Sequence, residues 1–173
     1  MKTVYLSLGS NLGDREAHLQ RAVDLLHEAG VLVRRCSAVY ETAPQDLTDQ
    51  PWFLNCVVEA ETVWFPMQLL AKTAGVEHAL GRQRREAKGP RTVDIDILFY
   101  ARFAMDTPKL VIPHPQLGVR RFVLEPLAVL APALPHPVLG KTVKELLRGV
   151  EGQAVRRVGF VVRVRGARPG SGT

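Results

Sequence analysis

The chain has 173 residues, of which 46% are hydrophobic and 23% charged, a composition that fits one soluble globular domain and excludes a fibrous or disordered protein. No segment approaches the roughly 18 apolar residues of a membrane-spanning helix, and the opening stretch is too short an apolar run for a signal peptide, so we expect a cytoplasmic protein. Its two cysteines, Cys36 and Cys56, form no Cys-x-x-Cys pair. This excludes a zinc or disulfide framework and indicates two buried, small hydrophobic residues.

The net charge of +6 is distributed unevenly along the chain. Residues 1–80 carry 6 Lys and Arg against 10 Asp and Glu, whereas residues 81–173 carry 17 against 7. The basic half begins with a cluster formed by Arg82, Arg84, Arg85, Lys88 and Arg91. Such a cluster is typical of a solvated surface, of a nucleic-acid-binding face or of a polyphosphate site.

The first hundred residues alternate between strand-forming and helical patterns. Apolar residues at helical spacing within 19–29 predict a helix that follows the turn over 9–14 and ends at Gly30. Pro66 predicts the first position of a second helix, which ends before Gly81. A turn over 9–14 and a loop over 42–51 separate other elements. The predicted strands are 4–8, 31–40, 53–63 and 93–100. This βαββαβ order predicts an α+β domain with a ferredoxin-like core and its two helices on one side of the sheet.

Beyond Ala101 the pattern weakens, because prolines interrupt it repeatedly. Short helices are predicted over 122–130 and 142–147, with an edge strand within 155–164. Gly140-Lys141-Thr142 resembles the end of a phosphate-binding loop, but Pro135 occupies the position of the required glycine, so we predict a helix start instead. We expect one domain over 1–165, whose core is followed by a C-terminal helical and β extension, and a disordered tail over 166–173.

Two aspartates lie two positions apart in the last predicted strand of the core. Because side chains alternate along a strand, Asp94 and Asp96 project together while Ile95 and Ile97 face the core, and the two aspartate Cα atoms are ~6.6 Å apart. Carboxylates at this separation repel unless a cation lies between them, and two Mg²⁺ ions with a polyphosphate would fit. A solvated aspartate pair is the alternative. The nearby arginine cluster favours a nucleoside triphosphate site, because that ligand accounts for both sets of charges.

Several sequence blocks, in order, resemble one enzyme family. They are Leu8 to Gly13, Tyr40 to Asn55, Gly89 to Leu98, Val111 to Pro115 and Arg120 to Leu124. Over about residues 1–135 the chain resembles the 6-hydroxymethyl-7,8-dihydropterin pyrophosphokinases of folate biosynthesis. The resemblance implies transfer of the β,γ-diphosphate of ATP to the hydroxymethyl group of 6-hydroxymethyl-7,8-dihydropterin, with release of AMP.

The resemblance also implies roles for individual residues. The expected catalytic residues are Arg82, Arg91, Asp94 and Asp96, with Asp94 and Asp96 holding two Mg²⁺ ions. The expected ATP-binding residues are Glu77, Arg82, Arg84, Arg91, Ile97, Lys109, Val111, His114 and Arg120. The expected pterin-binding residues are Thr42, Ala43, Gln45, Phe53, Asn55 and Phe122.

Residue chemistry agrees with the expected pterin site. A pterin ring needs aromatic faces and a polar edge, and Phe53 and Asn55 share one face of their strand. Plain core packing is the alternative for Phe53 and Phe122. Asn55, however, lies in an apolar run where an unpaired amide would be costly to bury.

Two other functional classes remain as alternatives. A basic RNA-binding module would account for the positive charge, but the predicted central strands lack the paired exposed aromatics that such a module requires. A metal-dependent phosphohydrolase would use the same aspartates. We expect ATP and the pterin as ligands, with neither nucleic acid nor membrane as a partner, and a monomer.

Overall fold

The computed structural model describes residues 1–43, 49–81 and 92–166. The main strands are β1 (Lys2–Ser10), β2 (Val31–Cys36), β3 (Tyr40–Thr42), β4 (Phe53–Thr62) and β5 (Asp94–Tyr100). The short strands are β6 (Met105–Asp106), β7 (Val111–Ile112) and β8 (Arg156–Arg157). The helices are α1 (Arg15–Glu28), α2 (Pro66–Ala79), α3 (Arg121–Leu130) and α4 (Val143–Arg148), with a 3₁₀ turn at Leu117–Val119.

The main sheet is antiparallel, in the order β5-β1-β4-β3-β8, and β2 also pairs with β4. The α+β prediction is therefore confirmed. Both long faces of the sheet are apolar: Leu6 and Leu8 pack with α1 and α2, whereas Tyr5 and Val57 pack with α3 and α4. A sheet that is apolar on both faces must be covered on both. The helices of the core lie on one side, as expected, and the C-terminal helices cover the other.

The predicted strand over 31–40 is broken, and the break matters for the site. Cys36 lies opposite Val58, and Tyr40 lies opposite Asn55. The chain therefore advances four residues from β2 to β3 while β4 advances three, which leaves one extra residue. Ser37 accommodates the extra residue: its N–H donates to the Val57 carbonyl and its hydroxyl accepts from the Val57 N–H, both at 2.9 Å. Because a one-residue slip reverses the faces of a strand, Tyr40 and Thr42 of β3 share the α3-side face with Asn55 and Phe53, which they pair with.

Other element boundaries follow local signals. The helix α1 ends two residues before Gly30, which has φ +86°, and α2 begins at Pro66, both as predicted. The helix α4 begins after Thr142, whose hydroxyl accepts from the Glu145 N–H, so the Gly140-Lys141-Thr142 segment is a helix start. The predicted turn over 9–14 is wrong at its beginning, because pairing with β4 and β5 keeps β1 extended through residues 9 and 10.

The predicted edge strand over 155–164 is restricted to two residues. After β8 the chain leaves the sheet, and Val162 is buried in the core beneath α1. The Gln20 side chain of α1 donates to the Arg163 carbonyl at 2.9 Å and accepts from the Arg163 N–H at 2.8 Å. Of the predicted tail, only Gly166 lies within the described residues. Within the described ranges, no helix is both long and apolar enough to span a membrane.

Candidate active site

The candidate site lies on the α3 side of the sheet, at the end that α3 does not cover. The central strand β1 places Gly9 opposite Asn55 of β4 on one side and opposite Asp94 of β5 on the other. Two residues further along, on the same face of the sheet, Ser7 lies opposite Asp96. With neighbouring strands ~4.8 Å apart, the Cα atoms of Asn55 and Asp94 are about 10 Å apart. The residues predicted for the pterin and those predicted for the metal therefore face the same space, separated by Gly9.

The aspartate pair has the predicted orientation. Asp94 and Asp96 are half-buried, whereas Ile95 and Ile97 are buried in the core on the opposite face. Glu77, near the end of α2, is only 9% exposed, and its Oε2 accepts a hydrogen bond from the Ile95 N–H at 2.9 Å. Because β5 is an edge strand, this outward N–H has no strand partner. The Glu77 carboxylate thus holds the main chain midway between the two aspartates.

The donor set suits Mg²⁺ bound together with phosphate. In the part of the chain that the structure describes, no group of three or more His, Cys, Asp or Glu side chains could hold a metal. Mg²⁺ takes six oxygen ligands and is commonly bound through one or two carboxylates, with water and substrate phosphates completing the shell. Asp94 and Asp96 fit this pattern, in which the protein supplies part of the coordination.

The pterin half of the site is built around a buried amide. The Asn55 Nδ2 donates to the Thr42 hydroxyl oxygen at 2.6 Å, and the two residues are 5% and 3% exposed. A Cβ added at Gly9 would lie 2.8 Å from Asn55 Oδ1 and 3.5 Å from the Phe53 ring. The 3.5 Å approach is an ordinary contact, whereas at 2.8 Å the Asn55 amide would have to move, so glycine leaves this amide in place. The prediction that Phe53 and Asn55 share a strand face is confirmed.

The phosphate half contains His114 and Arg120. The His114 N–H donates to the Leu98 carbonyl at 3.0 Å, which places the residue beside the outer edge of β5. Burial, and next the charge of Arg120, lower the pKa of His114, while the charge of Asp94 opposes this shift. Its Nδ1 accepts from the Gln116 N–H at 3.1 Å, so the neutral ring carries its proton on Nε2. His114 is therefore a neutral hydrogen-bond donor close to Arg120 and Asp94.

Arg120 also connects the two halves. Its guanidinium carbon lies 5.5 Å from the centre of the Phe122 ring, a cation–π distance. Arg120 immediately precedes α3, and Phe122 lies in the first turn of that helix. One short segment thus carries a residue predicted for ATP and a residue predicted for the pterin.

The remaining predicted residues have different positions. The Ile97 side chain is buried in the core, so a contact with ATP would have to use its main chain. Val111 is half-buried in β7, which contacts β5, and Lys109 is exposed in the turn between β6 and β7. Ala43 follows β3 directly. The residues outside the described ranges are Gln45, Arg82, Arg84 and Arg91.

Sequence reasoning did not single out Gly9 or Asn11. Asn11 is buried, and its Nδ2 donates to Gln50 Oε1 at 2.9 Å and to the Pro51 carbonyl at 3.0 Å. These bonds tie the end of β1 to the segment that precedes Phe53. Both residues lie in the first block that resembles the family, but the need for a glycine or a buried amide there depends on partners over 35 positions away.

The chain is similar to one enzyme family over most of its length. The family model described as 7,8-dihydro-6-hydroxymethylpterin-pyrophosphokinase matches residues 5–132. A 2-amino-4-hydroxy-6-hydroxymethyldihydropteridine pyrophosphokinase of Bacillus subtilis is 49% identical over 125 residues, which cover 72% of this chain and 75% of the relative. A protein of the same name from Methylorubrum extorquens is 43% identical over 159 residues, covering 91% and 99% of the two chains.

A solved structure supports the fold independently. The crystal structure of wild-type Plasmodium falciparum HPPK-DHPS with pteroate aligns with a TM-score of 0.72 at 18% identity, over 86% of this chain and 42% of that chain. The family expected from the sequence blocks is confirmed by the family model and by the relatives. The chain belongs to the 7,8-dihydro-6-hydroxymethylpterin-pyrophosphokinase family.

Proposed function

We propose that the protein carries out the reaction of its family, diphosphate transfer from ATP to the hydroxymethyl group of 6-hydroxymethyl-7,8-dihydropterin in folate biosynthesis, on the sheet face described above. The observation that carries this proposal is the row formed by Asn55, Gly9 and Asp94 across three adjacent strands. It supports a pterin and a polyphosphate bound side by side, with nothing larger than a hydrogen atom between them at Gly9.

In the phosphate half, Asp94 and Asp96 would hold Mg²⁺. When bound, the ion neutralises phosphate charge and orients the diphosphate for in-line transfer. The Nε2–H of His114 donates a hydrogen bond to a phosphate oxygen, and Arg120 supplies positive charge on the same side. Because the His114 ring is neutral, it contributes a directional hydrogen bond without charge, and Arg120 supplies the positive charge.

In the pterin half, Asn55 and Thr42 bind the polar edge of the ring, and Phe53 and Phe122 pack on its faces. In this orientation the hydroxymethyl group would lie on the Gly9 side, toward Asp94 and Asp96. Asp96 orients the hydroxyl nucleophile. Little covalent help is needed from the protein, because correct positioning of the two reactants supplies most of the rate increase in such transfers.

The close approach at Gly9 provides a test of the pterin half. In Gly9→Ala, the new methyl group would displace the Asn55 amide, so we expect pterin affinity to fall about tenfold, the effect of losing one or two good hydrogen bonds. Titration calorimetry with the pterin and a non-hydrolysable ATP analogue measures this. Gly75→Ala is the matched control, because a Cβ there meets no atom within 4 Å. Equal pterin affinity in both variants would refute the arrangement.

The lowered pKa of His114 predicts a pH effect on the free protein. Since the folded-state pKa of His114 lies below the ordinary 6.5, this side chain binds a proton more tightly in the unfolded chain than in the folded one. The resulting stability is complete above pH 6.5 and is lost as the pH falls through the folded-state pKa. Between pH 7.5 and 5.5, His114→Asn should lose less unfolding free energy than the wild type, by no more than about 1 kcal/mol. Urea unfolding tests this, with exposed His78→Asn as control; parallel curves for wild type and His114→Asn would contradict it.

A direct assay tests the proposed reaction. The protein is incubated with Mg²⁺ and ATP, with and without 6-hydroxymethyl-7,8-dihydropterin. We expect AMP only when the pterin is present, in equal amount to the pterin diphosphate and without free phosphate. Phosphate release that does not require the pterin would instead identify a phosphohydrolase. The count of two Mg²⁺ ions, the monomeric state and the cytoplasmic location stay predictions.

A further inference from the structure

The turn that leads into α3 is held by a residue from much later in the chain. The Gln153 Oε1 accepts a hydrogen bond from the Arg121 N–H at 2.9 Å, and its Nε2 donates to the Val119 carbonyl, also at 2.9 Å. These two contacts lie on either side of Arg120. One side-chain amide therefore fixes the main chain immediately before and immediately after this residue.

The helix itself explains why such a contact is needed. The first N–H groups of a helix have no acceptor within the helix and are normally capped by a nearby side chain. Arg120, at the N-cap position of α3, makes no capping hydrogen bond with its side chain. Gln153, 32 positions away from Arg121, supplies the missing acceptor.

The contact is reciprocal. The Arg121 Nη1 donates to the carbonyl oxygens of Glu151 and Gln153, both at 2.7 Å, and its Nε donates to Glu125 at 3.1 Å. The loop at 151–153 and the turn at 119–121 therefore restrain each other. Breaking either set of bonds should loosen the same turn.

The chain that follows Gln153 reaches strand β3, which carries Thr42 on the other side of the pterin half. Three residues after Gln153, Arg156 of β8 lies opposite Glu41 of β3 and forms an ion pair with it. Glu41 immediately precedes Thr42. Residues 151–157 thus connect the turn at 119–121, which immediately precedes Phe122, to the strand that bears Thr42.

We infer that Gln153 is a positioning residue for the substrate site, setting the approach of Arg120 and Phe122. The inference rests on the proposed function, which assigns those two residues to substrate. Gln153 lies beyond residue 132, where the match to the family model ends. The extension therefore contributes to the site through the main chain of the turn, without touching substrate.

The test compares two variants that lose equivalent bonds. Gln153→Met keeps the length of the side chain and removes both amide hydrogen bonds. Gln20→Met is the matched control, because Gln20 likewise accepts from one main-chain N–H and donates to one main-chain carbonyl, both of Arg163, on the opposite side of the sheet. We expect KM for the pterin to rise about fivefold in Gln153→Met, the effect of one lost hydrogen bond, with a smaller change in kcat. Gln20→Met should leave both unchanged.

Hydrogen exchange in the free enzyme tests positioning without substrate. The Arg121 amide should exchange faster in Gln153→Met and remain unchanged in Gln20→Met. If the KM for the pterin is unchanged in Gln153→Met while Phe122→Ala raises it, the inference fails and the proposed function stands. If neither variant changes this KM, the assignment of Phe122 in the proposed function fails, and the inference fails with it.

Discussion

Asp94→Ala and Asp96→Ala should each remove nearly all turnover while leaving the fold intact. We expect kcat to fall by a factor on the order of 10³, because each variant removes a carboxylate that would hold Mg²⁺ against the transferring phosphates. Both side chains lie on the face opposite the core residues Ile95 and Ile97, so neither contributes to core packing. The circular dichroism spectrum of each folded variant should therefore match that of the wild type.

AMP formation at saturating ATP and pterin measures this effect, and circular dichroism checks the fold. Asp106→Ala is the control, because Asp106 is an exposed aspartate in β6 and should tolerate replacement. A titration of activity with Mg²⁺ should show that the residual turnover of each variant needs more Mg²⁺ than the wild type does. An Asp96→Ala variant with near-normal kcat would refute the assignment of the metal site.

Asn55→Ala and Phe122→Ala should weaken pterin binding and leave ATP binding nearly unchanged. Loss of the Asn55 amide leaves polar groups of the bound pterin without partners, at about 1–3 kcal/mol. Phe122→Ala removes a stacking face worth roughly 1 kcal/mol beyond area burial. Each change corresponds to a decrease in pterin affinity of about tenfold or more.

Calorimetric titrations with each substrate separate the two halves of the site. Phe65→Ala is the control for Phe122→Ala, because Phe65 is exposed and follows the end of β4 opposite to Phe53. It should bind both substrates as the wild type does. If nucleotide affinity fell in Asn55→Ala while pterin affinity did not, the two half-sites would be reversed.

Both variants should also lose some stability, which urea unfolding measures. Asn55→Ala breaks the buried hydrogen bond to Thr42, so the unfolding free energy should fall by about 1 kcal/mol. Phe122 is only half-buried at the margin of the α3 core, and its replacement should cost less than the 3–5 kcal/mol typical of a fully buried Phe.

Local patterns in the sequence were enough to predict the chemistry and much of the architecture. Alternation along β5 placed Asp94 and Asp96 on one face, because side chains of any strand alternate regardless of what surrounds it. Pro66 and Gly30 marked helix ends, because each acts through its own backbone geometry. The sequence blocks identified the family, since they are contiguous and can be recognised without a structure.

Other features depend on contacts between distant residues and could not be read locally. The extra residue near Ser37 turns Thr42 toward Asn55 only because β4 lies alongside, and a side chain at Gly9 is disfavoured only because the Asn55 amide approaches it. The bond from Ile95 to Glu77 and the contacts of Gln153 join parts of the chain that no periodic pattern relates. A hydrogen bond or close packing contact is decided by the three-dimensional path of the backbone, and this path brings together residues whose separation along the chain carries no signal.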